Sequence, residues 1–167
     1  MTHARIYLDW NATAPLHPAA RAALAEALEA GGNPSSVHAE GRAARDRVET
    51  ARAQVAALAG AKPAEVIFTA GGTEANALAL RGLAPSRPVL ILGATEHDSV
   101  RANAADLAGA VRVETLPVDG AGRPDLEALD RLLAGAGQGR ALVSVMAANN
   151  ETGVLAPVAG EIGRAHV

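Results

Sequence analysis

Three short polar segments stand out because their residue types could handle a charged ligand. Gly71-Gly72-Thr73-Glu74 places two glycines and a hydroxyl immediately before a helical run. A backbone without side chains lets a ligand approach closely, and the free N–H groups and dipole of a helix start favour an anion. A phosphate could sit there; the alternative is a tight turn with Thr73 as a simple cap. The segment lacks the lysine of a P-loop and the third glycine of a dinucleotide fingerprint, so neither nucleotide motif is supported. Thr95-Glu96-His97 offers an imidazole, and Asn149-Asn150-Glu151-Thr152-Gly153 offers amides. A lone histidine is more often a surface or core residue than a catalytic one, and paired asparagines most often only form turns. No second His or Cys stands at metal-ligand spacing, so no metal is expected.

Convergence of these segments depends on the elements that carry them. Pro18 to Ala30 has Leu24 and Leu28 at helical spacing and stops at Gly31-Gly32, and Ala39 to Ala59 reads as an exposed amphipathic helix. Val66 to Thr69 reads as a strand running through the glycine turn into a helix over Glu74 to Leu83. The rhythm repeats: a strand over Val89 to Gly93 and a helix over Ser99 to Leu107, then a strand over Val111 to Leu116 and a helix over Asp125 to Leu133. A fourth strand is expected over Ala141 to Met146, with a last helix from about Pro157. Apolar strands separated by helices predict an α/β fold with a mostly parallel sheet covered on two sides. Ligands bind beyond the carboxyl ends of such strands, and the three polar turns are expected to form one pocket there.

Composition narrows the function classes. With 167 residues, 49% of them apolar, the chain is long enough for one domain with a core. Tyr7, Trp10 and Phe68 are its only aromatic residues and the net charge is -3, which argues against nucleic acid as a partner. No apolar run approaches the ~20 residues of a membrane span, so no membrane is expected and a cytoplasmic protein is the default. The sequence contains no cysteine, and Lys62 is the only lysine among 15 basic residues. Any amine chemistry must use Lys62 or a residue outside this chain, and any thiol chemistry must come from outside it.

At this point the segments resemble a known family. Ile6-Tyr7-Leu8-Asp9-Trp10-Asn11-Ala12-Thr13-Ala14-Pro15, Gly32 to Arg42, Phe68 to Asn76, Thr95-Glu96-His97 and Asn149 to Gly153 resemble, in order and spacing, signatures of the cysteine desulfurases. These are enzymes of the class V aminotransferase group that use pyridoxal 5'-phosphate. The resemblance implies the fold type I architecture of such transferases, with residues 1–167 forming one incomplete domain: the N-terminal segment and the first half of the cofactor-binding large domain. It implies that Gly72 and Thr73 hold the cofactor phosphate, that His97 stacks on its ring and takes part in proton transfer, and that Asn150 bonds the ring oxygen. Asn33 would help to form the substrate end.

The reaction implied is transfer of sulfur from L-cysteine to an enzyme cysteine, leaving alanine, in support of iron–sulfur cluster or thio-cofactor assembly. A homodimer and a sulfur-acceptor scaffold protein are the partners implied. The lysine that binds the cofactor covalently, the aspartate at its ring nitrogen, the arginine for the substrate carboxylate and the persulfide cysteine are all expected beyond Val167. Lys62, in a turn expected at the amino end of the sheet, is read as a solvated loop residue. Gly160 to Ala165 reads as a helix within which the chain stops, so that His166-Val167 only superficially matches the family's later His-Val pair. Alternatives are a selenocysteine lyase or aminotransferase of the same group, or a non-catalytic truncated module.

Overall fold

A computed structural model of the protein describes residues 5–158. It comprises two compact units that divide between Phe68 and Thr69.

The first unit holds helices α1 (Pro18–Ala30) and α2 (Ala39–Ala59), with the ranges the sequence predicts. Helix α1 buries none of its residues, and α2 buries Gly41, Ala44 and Ala56 while Leu58 is exposed. Gly60 ends α2 in the left-handed conformation (φ 65°), donating its N–H to the last carbonyls. The loop before α2 is packed on itself. Arg42 donates to the Val37 carbonyl (2.6 Å), Arg45 donates to the Pro34 carbonyl (2.9 Å), and a Cβ on Gly41 would collide with the Ser36 backbone.

Residues 66–69 are not a strand, contrary to the sequence reading. Strand structure needs a hydrogen-bonded neighbour, and side-chain contacts hold this segment instead. The Arg52 guanidinium donates to the Val66 carbonyl (2.6 Å) and lies 5.0 Å from the centre of the Phe68 ring, leaving Ile67 exposed.

The second unit contains the sheet. Strands β1 (Val89–Gly93), β2 (Arg112–Leu116) and β3 (Ala141–Ser144) alternate with helices α3 (Gly72–Leu83), α4 (Asp98–Leu107) and α5 (Leu126–Ala136). The α3 helix precedes β1, α4 joins β1 to β2, and α5 joins β2 to β3. The strand order is β2-β1-β3, and both pairings are parallel, as expected of helix-separated strands. Central strand β1 is buried along its whole length because it has a layer on each face. Leu90 and Leu92 pack with Leu80 of α3 and Val100 and Ala104 of α4; Val89 and Ile91 pack with Leu129 of α5 and Leu116. Edge strand β2 departs from the expected apolar pattern, pairing Arg112 with Glu114 at 3.1 Å at its rim. Among the described residues no helix is long and apolar enough to cross a membrane. Of the helix expected from about Pro157 only Pro157 and Val158 fall among the described residues; Gly160 to Ala165 and His166-Val167 lie outside them.

Candidate functional site

The glycine turn does not follow a strand, so it reaches the sheet's carboxyl edge by a different route from the one expected. Helix α3 packs on α4, and one turn into α3 the Asn76 amide donates to the Ser99 hydroxyl at 2.8 Å. Ser99 lies in the first turn of α4 and contacts His97 Nδ1 at 2.8 Å through its hydroxyl. The start of α3 is thereby tied to the turn that leaves β1.

That start is chemically open. Gly71 precedes α3 with extended backbone, no side chain caps the helix, and a Cβ on Gly71 or Gly72 would meet nothing within 4 Å. The first backbone bond of the helix runs from the Ala75 N–H to the Gly71 carbonyl at 3.1 Å, so the N–H groups of Gly72, Thr73 and Glu74 have no intrahelical acceptor. Glu74 reaches back to the Ala70 N–H (2.7 Å), and Thr73 is exposed. Every other α-helix of the described chain has a polar side chain against its start: His17 at α1, His38 at α2, His97 at α4 and Asp125 at α5. No packing or backbone strain requires the two glycines, and the space beside them suits a phosphate group.

His97 stands just beyond β1, exposed, with Nδ1 accepting the Ser99 N–H at 3.1 Å. Beneath it Glu96 is 7% exposed, the one buried ionisable side chain among the described residues. Burial pushes the Glu96 carboxyl above its ordinary range, opposed by the Ser144 hydroxyl (3.4 Å) and by the backbone N–H groups of His97 and Met146. Glu96 therefore braces the turn after β1 against the segment that leaves β3.

The two asparagines divide their work. Asn149 Oδ1 accepts from the N–H groups of Glu151 and Thr152 (2.9 Å each), and its amide lies 3.5 Å from the Thr95 carbonyl. It builds the turn and joins it to the His97 turn. Asn150, exposed at the tip, donates to Glu151 at 2.9 Å.

A small cavity at this edge is lined by Gly93, Thr95, Met146, Asn149 and Val154, among others, and Thr73, His97 and Asn150 lie outside its lining. All three are exposed: Thr73 in the first turn of α3, His97 at the start of α4 and Asn150 in the turn that follows β3. Asn33 belongs to the first unit, where its Oδ1 accepts the Ser35 N–H at 2.9 Å and shapes the loop before α2. Lys62 is exposed in the same unit, its N–H donating to Glu65 at 2.8 Å. Among the described residues no group of three or more His, Cys, Asp and Glu could hold a metal ion. Sequence reasoning missed Asn76 and Ser99; the only signal was spacing, Thr73 to Asn76 and His97 to Ser99.

Comparison with known proteins adds the family context. The aminotransferase class-V family model matches residues 6–167. A cysteine desulfurase of Cereibacter sphaeroides is 44% identical across 97% of this chain and 43% of its own length. A selenocysteine lyase of Rattus norvegicus is 38% identical across 96% of this chain and 42% of its own. The solved structure of a NifS-like protein from Rickettsia africae superposes with a TM-score of 0.85 at 34% identity, covering 95% of this chain and 44% of that one. The chain thus spans about two-fifths of the length of these relatives.

Proposed function

The chain belongs to the aminotransferase class-V family, whose members depend on pyridoxal 5'-phosphate, and from that premise we propose that it forms the cofactor-holding face of a cysteine desulfurase. The observation that carries this reading is the uncapped glycine start of α3, tied through Asn76 and Ser99 to His97. Gly72 and Thr73 would hold the phosphate, His97 would lie on the ring, Asn150 would bond the ring oxygen, and Asn33 would serve the substrate end. When bound, the cofactor supplies an electron sink for an amino-acid substrate. This chain's residues bind its anionic end at a helix dipole and present an imidazole and an amide from neighbouring turns.

The reading extends to L-cysteine as substrate and to a cytoplasmic homodimer that hands sulfur to a scaffold protein. Likeness to a selenocysteine lyase is nearly as close, so selenocysteine is the second substrate to assay.

The test is titration of pyridoxal 5'-phosphate into the 167-residue chain, followed by absorbance and by equilibrium dialysis. Saturable, non-covalent binding that survives Lys62→Ala is expected, with no sulfide or alanine released from cysteine above the cofactor alone. The sequence supplies no thiol and no lysine besides Lys62. Absence of saturable binding would sink the reading of the α3 start; turnover would show that the missing amine and thiol are not required.

A further inference from the structure

We propose that Ser99, backed by Asn76, is a positioning residue that locks His97 in one neutral tautomer, with the proton on Nε2 and none on Nδ1. The inference takes its functional meaning from the reading of His97 as a cofactor-facing group, and its structural argument is independent of that reading.

A backbone N–H can only donate. Ser99 N–H points at His97 Nδ1 from 3.1 Å, so that nitrogen must offer a lone pair. The Ser99 hydroxyl, 2.8 Å from the same nitrogen, must then donate as well. With its proton committed, Ser99 Oγ accepts from the group 2.8 Å away on Asn76, which fixes the Asn76 amide with its NH₂ toward Ser99. All the donors in this chain run one way and end on Nδ1. The remaining ring edge is exposed and carries Nε2–H.

His38 provides an internal contrast. It also stands at a helix start, with Nδ1 3.4 Å from the Gly41 nitrogen, but the same Nδ1 lies 2.8 Å from a Glu40 carboxylate oxygen. A carboxylate only accepts, so the shorter contact calls for a proton on Nδ1 of His38, which then cannot accept the Gly41 N–H. The two helix-start histidines are therefore set to opposite tautomers by what stands two residues on: Glu40 in one case, Ser99 in the other.

The consequence for His97 is directional. Its exposed edge is a hydrogen-bond donor. To take up a proton the neutral ring would have to use Nδ1, which Ser99 occupies, and the tautomer with a free Nε2 lone pair forfeits the Ser99 N–H bond and makes the Ser99 hydroxyl an acceptor. His97 in the resting protein thus presents a proton outward rather than a base.

The experiment is nitrogen NMR of the 167-residue chain labelled with [¹⁵N]histidine, without cofactor, in weakly alkaline buffer where imidazoles are neutral; His97→Gln assigns the resonances. His97 Nδ1 is expected to resonate as a bare, pyridine-type nitrogen and Nε2 as a protonated one. Ser99→Ala keeps the backbone donor and deletes the hydroxyl, and should raise the population of the Nδ1–H form about 2- to 10-fold, the equivalent of one net hydrogen bond. Ser99→Thr should restore the wild-type state, and Asn76→Ala should give a smaller change in the Ser99→Ala direction. A predominantly Nδ1-protonated His97 in the wild type would overturn the proposal, as would a Ser99→Ala spectrum identical to it. If Ser99→Ala does not fold, Asn76→Ala decides by the same criterion. The expected tautomer in a chain that fails to bind pyridoxal 5'-phosphate would refute the cofactor reading and leave the role of Ser99 standing.

Discussion

Helices α3 and α4 pack side by side in the second unit and begin in opposite ways. At α4 the N-cap is a side chain: His97 accepts the Ser99 N–H, and Asp98 adds negative charge to the first turn. At α3 the N-cap is Gly71, no side chain reaches the first turn's N–H groups, and there is open space beside them. A protein selected for stability alone would cap both, because a capping side chain contributes a few tenths of a kcal/mol over glycine and an acidic one adds a favourable charge at the helix start. The difference teaches that an absence can be the functional feature. On the proposed reading the α3 start keeps its donors for an external anion, whereas the α4 start uses its own donors to orient a ring.

Closing the α3 start should remove its function while improving the helix. Gly71→Asp places a carboxylate where the backbone is extended and a Cβ meets nothing. It should stabilise the second unit by about 0.3–1 kcal/mol through the helix dipole. The same carboxylate would take the N–H groups and repel a phosphate, and loss of two charge-assisted bonds corresponds to affinity lower by about 100-fold or more. Thermal unfolding and cofactor titration of one variant read both effects; a stabilised variant that binds the cofactor unchanged would break the comparison. Thr73→Ala, which leaves the start open and deletes one hydroxyl, should cost about 1.5–3 kcal/mol of binding, roughly 10- to 100-fold. An unchanged dissociation constant would restrict the site to backbone donors.

Elements defined by their own residues were legible in the sequence. Pro18 and Gly31 bracket α1, and Gly60 stops α2, because caps and glycine stops act within a few residues. Strand β1 was legible for the same local reason, being apolar throughout. Residues 66–69 were misread because β-branched and aromatic composition does not specify a ladder partner; Arg52, more than a dozen residues earlier, takes the Val66 carbonyl. The individual residues of the candidate site were legible as types on turns, and the family resemblance gave them roles. Their connections were not, since Asn76 to Ser99 and Glu96 to Ser144 are contacts between elements that a one-dimensional pattern does not encode. Glu96 read as a polar neighbour of His97, and only the packing of β1 against β3 makes it buried.

Glu96 gives the smallest of the expected effects, and it separates the braced α4 start from the open α3 start. Its carboxyl titrates above the ordinary value of 4.5, chiefly because burial disfavours the charge. The folded chain therefore holds this proton more tightly than the unfolded chain does. The resulting stabilisation is fully present below about pH 4.5 and is lost as pH rises through the raised value. Glu40 and Asp119 shift the opposite way, held down by hydrogen bonds from nearby backbone N–H groups and side chains, so their contributions fade only below their ordinary values of 4.5 and 3.8 and leave this window clear. Glu96→Gln removes the titration while keeping an acceptor for Ser144 or a backbone N–H. Hydrogen-exchange protection of the β1 amides, corrected for intrinsic rate, should decline from pH 4.5 upward in the wild type more than in the variant. Parallel curves would show that Glu96 holds its proton equally tightly in the folded and the unfolded chain, and that its burial beneath the turn carrying His97 does not disfavour the charge.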